Sequence, residues 1–93
     1  MDMLINHEDL LGVLENACGL EELALTELEV LEASDRDVHD CFGEHRTDSS
    51  YFYVEAKAET DAYGEHHEVR ATIIVETRKT FIDRSVVKNY TYS

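Results

Sequence analysis

Apolar residues recur at helical spacing up to Leu20 and at alternating spacing after residue 50, so the chain changes structural period near its middle. Leu10, Leu14 and Ala17 fall on one helical stripe, with Leu11 and Cys18 beside them. Asn6 is the expected N-cap, Asp9 stands in the reciprocal position of a capping box, and Ile5 and Leu10 are spaced as a hydrophobic staple. Gly19 suits the left-handed position that ends a helix, and Leu20 can fold back toward Leu14. These signals predict a first helix.

The next stretch, LEELALTELEVLEAS, is read two ways. Leu20, Leu23, Ala24, Leu28 and Leu31 share a helical face, and Glu21 and Glu22 suit the positive end of a helix dipole. Leu28 and Val30 set between glutamates alternate like a strand. Length and the Leu, Glu and Ala content favour a second helix over 20–33.

After residue 48 the period is two. Phe52, Val54, Ala56 and Ala58 point one way, and Tyr51, Tyr53, Glu55, Lys57 and Glu59 the other. Val69, Ala71, Ile73 and Val75 form one face of the next run, opposite Glu68, Arg70, Thr72, Ile74 and Glu76. Between them Asp61–Gly64, DAYG, carries the preferences of a type I turn. An unbulged hairpin on that turn sets Lys57 opposite Glu68 and Glu55 opposite Arg70, with Val54 beside Ala71 on the buried face. FIDRSVVKNYTYS reads as a third strand with Ile82, Val86, Tyr90 and Tyr92 in phase. A lone hairpin is marginal in water, so a third strand and a covering helix are needed.

The expected fold class is therefore α+β: one or two acidic N-terminal helices packed on a small antiparallel sheet of about three strands. The whole of 1–93 forms one domain, with 1–47 as an acidic helical half and 48–93 as the hairpin and third strand. There is no proline, no internal repeat and no low-complexity linker.

The formal net charge of −13 sharpens this picture because it is segregated. Residues 1–50 carry 14 acids against Arg36 and Arg46, whereas 51–93 carry 7 acids against 6 bases. A negative face repels phosphate backbones, which argues against direct nucleic-acid binding. It suits a basic partner surface, cations or imitation of nucleic acid, and equally a plain solvated helix surface. No apolar run reaches the roughly 20 residues that span a bilayer, so no membrane contact is expected from this chain. Cys18 and Cys41 can form one disulfide or remain reduced; the pattern leaves both open.

TDSSYFYVEAKAET followed by EVRATIIVETRK resembles the C-terminal part of the K-type minor pseudopilins of general secretion systems, and their relatives in type IV pilus assembly. The matching features are the Ser49–Ser50 pair before an aromatic-rich strand, then a turn and an apolar strand ending in Arg78 and Lys79. The helical segment before it is similar in style. The resemblance implies a non-enzymatic, extracytoplasmic assembly subunit, at a filament tip and with calcium bound.

DRDVHDCFGEH, Asp35 to His45, concentrates ligand-type side chains. His39, Cys41 and His45, with Cys18 or His7, are zinc-ligand types but lack the two close-spaced pairs of a structural zinc site. Asp35, Asp37, Asp40 and Glu44 offer hard oxygens for calcium, although Asp40 and Arg46 stand where an EF-hand loop needs glycine and glutamate. The segment is expected to be a connecting loop, with an irregular calcium site as its functional alternative and no other cofactor. A thiolate at Cys41 would be disfavoured by the flanking carboxylates, and no nucleophile elbow or phosphate loop is present, so no enzyme activity is expected.

Contact with other protein subunits, self-association included, is the expected function. Its candidate residues are Tyr51, Tyr53, Tyr90 and Tyr92, because tyrosine favours interfaces, and the carboxylates Glu21, Glu22, Glu29 and Glu32. Two roles fit: an extracytoplasmic assembly subunit of a secretion- or pilus-type apparatus, or a cytoplasmic acidic phage-type inhibitor that imitates nucleic acid in a basic groove.

Overall fold

The computed structural model describes residues 4–93. The elements are α1 (His7–Cys18), β1 (Ala24–Glu32), α2 (Asp35–Phe42), β2 (Ser50–Thr60), β3 (His67–Arg78) and β4 (Phe81–Tyr92). The four strands form one antiparallel sheet in the order β1-β2-β3-β4. The α+β class agrees with the sequence reading; the order of elements and the number of strands differ from it.

Helix α1 begins as its sequence predicts. The Asn6 side chain accepts the Asp9 amide at 3.0 Å, and Gly19 closes the helix at φ 69° with its amide on the Glu15 carbonyl. The reciprocal half of the capping box is absent. The Asn6 amide donates to the Thr80 carbonyl at 2.8 Å, and the Asp9 carboxylate accepts the Ile82 amide at 3.0 Å. Both capping groups thus tie the helix start to the β3–β4 turn instead of to each other. Leu10 and Leu14 are fully buried and pack with Ile5, Leu20 and Leu23 on one face of the sheet, here the inner face.

The inner face carries Val54, Ala56, Ala58, Val69, Ala71, Ile73 and Val75, as the alternation predicts. Its register is shifted by two from the expected one: Val54 faces Ile73, Ala56 faces Ala71 and Lys57 faces Arg70. The type I turn is present, with the Gly64 amide on the Asp61 carbonyl at 3.1 Å, but Glu65 and His66 extend the loop before pairing starts at Thr60 and His67. A shift of two preserves which side chains point inward, so the core tolerates it. Like charges then meet across the outer face.

The predicted second helix is strand β1. A bulge between Leu25 and Glu27 leaves Thr26 unpaired, so Leu25 and Leu28 both lie on the inner face although three residues apart. The residues expected to share a helical face separate: Leu28 lies on the inner face, whereas Ala24 and Leu31 lie on the outer one. In β4, irregularities at Asp83 and Lys88 likewise shift the phase. Ile82 and Val87 pack on the core, while Val86 faces outward opposite Ile74.

The DRDVHDCF segment is helix α2, not a loop. Ser34 caps it by accepting the Asp37 amide at 3.1 Å, and Gly43 ends it at φ 76°. Val38 is buried beneath it, and the helix covers one end of the outer face. Cys18 and Cys41 are both free thiols.

The β3–β4 connection is a two-residue turn in which Lys79 (φ 49°) and Thr80 (φ 75°) both occupy the left-handed region, as a type I′ turn requires. Neither residue suits it, least of all β-branched Thr80. Replacing the pair with Asn-Gly (Lys79→Asn/Thr80→Gly) should stabilise the protein by about 1 kcal/mol, read as a rise of several degrees in Tm. An unchanged or lower Tm would show that the turn stores no strain.

Candidate functional site

The outer face is read most simply as cross-strand rows, because paired residues point the same way. Beside α2 lies the row Tyr51, Glu76 and Arg84, and next to it Leu31, Tyr53, Ile74 and Val86. Beyond these come Glu29, Glu55, Thr72 and Asn89, then Glu27, Lys57, Arg70 and Thr91, and at the β2–β3 hairpin tip Glu59 and Glu68. Helix α2 and the loop after it close over the first rows. The rows from Glu29 onward are open to solvent.

Under the cover sits a buried carboxylate. Glu76 has no exposed surface, and its two oxygens accept Arg84 Nε at 2.8 Å and an Arg84 terminal nitrogen at 2.9 Å. The Tyr51 hydroxyl donates to the same carboxylate and accepts the Arg46 amide at 2.9 Å; the Arg46 guanidinium lies 3.6 Å from Glu76. Arg84 also stacks over the Phe42 ring at 4.8 Å. The Arg84 hydrogen bonds outweigh desolvation and hold Glu76 at a pKa of about 2. Burial, and then the neighbouring carboxylate, push the Tyr51 phenol up. This network links α2 and its loop to three strands, but no substrate can reach a carboxylate without exposed surface. Its role is to close the outer face.

The carboxylates proposed for calcium do not meet. Asp35 lies 3.4 Å from His45, Asp40 lies 3.9 Å from Arg36 and Asp37 lies 3.3 Å from Lys88. Glu44 reaches Arg46 at 3.0 Å and Arg84 at 3.8 Å. Each acid thus has its own cation or imidazole around a short helix. Among the described residues, the group whose donor atoms do converge, all within 4.8 Å, is Glu59, His66 and Glu68 at the hairpin tip. His66 also bonds Asp61 at 2.9 Å, and that bond leads the interactions that raise its pKa. The His66 imidazole thus stands between the like charges of Glu59 and Glu68, 3.5 and 3.6 Å from them.

The tyrosine set divides between faces. Tyr51 is buried in the carboxylate network and Tyr53 is half-buried on the outer face. Tyr90 and Tyr92 pair with Ala71 and Val69, so they extend the inner face and are about half exposed. Tyr92 stacks on His67 at 5.2 Å, and Tyr63 meets His67 edge-on at 6.1 Å. The four tyrosines do not form one patch.

What the open rows do form is a shallow groove of about 600 Å³ lined by Glu27, Glu29, Glu55, Lys57, Arg70, Thr72, Asn89 and Thr91. Lys57 pairs with Glu27 at 3.0 Å, whereas Glu29 and Glu55 stand directly opposite one another with no ion pair to a cation among the described residues. Glu21, Glu22 and Glu32 are exposed before and at the end of β1. The bases Arg36, Arg46, Arg78, Arg84 and Lys88 pair with acids at or near the α2 end. The groove lining sets Glu27, Glu29 and Glu55 against Lys57 and Arg70, and the exposed Glu21, Glu22 and Glu32 leave the β1 edge negative. Sequence reasoning named Glu21, Glu22, Glu29 and Glu32 but missed Glu27 and Glu55, because a register two residues away paired Glu55 with Arg70.

The depressed Glu76 pKa has a measurable consequence. As pH falls, the unfolded chain takes up this proton near the ordinary carboxylate pKa, well before the folded one does. The stabilisation is complete above about pH 5 and disappears as pH approaches 2. Urea denaturation of the protein and of Glu76→Gln should show a gap of about 3 kcal/mol near neutral pH that closes toward pH 2. A gap that stays constant with pH would contradict an ionised Glu76.

No protein-family model, curated protein or solved structure matches this chain.

Proposed function

We propose that this chain is a non-enzymatic interaction protein that docks a basic protein surface on its open outer face and β1 edge. The observation that carries the reading is the Glu29–Glu55 cross-strand pair. Like charges directly opposite destabilise a sheet, and among the described residues no cation forms an ion pair with either carboxylate, Lys57 and Arg70 standing in the next row. A partner's lysine or arginine placed there would remove the repulsion. Glu32, exposed at the end of β1, adds a carboxylate on the inner-face side of the same edge.

Within this class the first reading is an assembly subunit of a secretion- or pilus-type apparatus, as the hairpin resemblance suggests, making lateral contacts through its sheet. The second is an acidic inhibitor that fills a nucleic-acid groove of its partner. What favours it is the regular placement of charge: alternate residues on a strand stand about 6.7 Å apart, so Glu27 and Glu29 make a row of negative charges along the edge.

Titration with a lysine-rich peptide, followed by backbone NMR, tests the shared reading. Shifts should concentrate on Glu27–Glu32 and Glu55–Lys57, and affinity should fall at least tenfold between low and moderate salt. Glu29→Lys/Glu55→Lys should abolish binding, while Asp40→Asn near the α2 end should not change it. Equal binding by the charge-reversed protein would sink the proposal.

A further inference from the structure

Strand β1 is the sheet edge at which the core is unfinished. Leu28 and Val30 belong to the inner-face cluster yet remain only half-buried, and Leu31, on the outer face, is 51% exposed. From Glu27 to Glu32 the pairing with β2 runs without interruption, so the other side of that segment is a regular row of backbone donors and acceptors with no strand of the described residues beside it. The opposite edge is different: β4 is broken by irregularities at Asp83 and Lys88, and bulges of this kind discourage a further strand. A second β1 is also a poor neighbour, because antiparallel pairing of two copies would bring glutamate rows together.

Resting on the reading above, we infer that β1 accepts an added antiparallel strand from its partner, and that the partner segment carries a defined pattern of basic and apolar residues. The register dictates the pattern. Residues facing Glu27 and Glu29 lie on the outer face and must be lysine or arginine. The residue facing Leu31, also on the outer face, is apolar. On the inner face, residues facing Leu28 and Val30 are apolar and extend the core, and the one facing Glu32 is basic. Read from its own N-terminus, the segment is basic, apolar, apolar, basic, apolar, basic. Main-chain hydrogen bonds supply affinity, and the side-chain alternation supplies specificity.

The test uses a peptide containing Lys-Leu-Val-Lys-Val-Lys, a shuffled peptide of identical composition, and an analogue N-methylated at alternate backbone positions. The patterned peptide should bind and protect from hydrogen exchange the alternate amides that point away from β2, those of Leu28, Val30 and Glu32. The other two should bind at least tenfold more weakly. Glu29→Lys should weaken the patterned peptide at least tenfold, and a peptide with glutamate at the facing position should restore binding to that variant. Equal binding of the shuffled or N-methylated peptide overturns strand addition and leaves electrostatic docking standing. Binding by none of the three overturns both.

Discussion

A fully buried, ionised Glu76 beneath α2 imposes the condition on which the outer face depends. An unpaired carboxylate there would cost several kcal/mol, so Arg84, Tyr51 and Arg46 must all be in place around it. Those residues come from β4, β2 and the loop after α2. Satisfying one charge therefore pins the helix and its loop to the sheet and orders the Arg84–Phe42 stack. It also draws the boundary of the open face, since the rows beyond Tyr53 and Ile74 lie outside the cover. The groove is bounded by a network that lies outside it.

Segregation of charge has the same origin. Most of the bases are used at the α2 end, where they pair with acids around Glu76 and on α2, each exposed pair contributing little by itself. Few cations remain for the rest of the surface. Lys57 and Arg70 are the cations left in the groove, against Glu27, Glu29 and Glu55, and the β1 edge with Glu21, Glu22 and Glu32 stays negative. An acidic composition becomes an acidic site through this allocation.

Legibility varied with the range of the interaction. Asn6, Gly19 and the Leu10–Leu14 stripe announce α1, because caps and helical periodicity act within a few residues. The inward faces of β2 and β3 were equally plain. The bulge at Thr26 was not, since an extra residue in one strand is defined only against its partner. Helix α2 could have been recognised from Ser34, Asp37 and Gly43, a cap and a stop in plain view. Its carboxylates drew attention instead as ligands, and the fold gives each its own partner.

By itself the sequence determined the α+β class, the first helix with both ends, the core-facing side of each hairpin strand and the surplus of negative charge. All four follow from local spacing and composition. Only the tertiary structure decided the hairpin register, the strand character of residues 24–32, the burial of Glu76 and the side of the sheet left open. Register depends on two loop residues whose effect preserves every inward face, so the hydrophobic pattern cannot report it. The burial of Glu76 depends on Arg84 and Tyr51 arriving from other strands, and no local signal distinguishes it from the exposed glutamates around it.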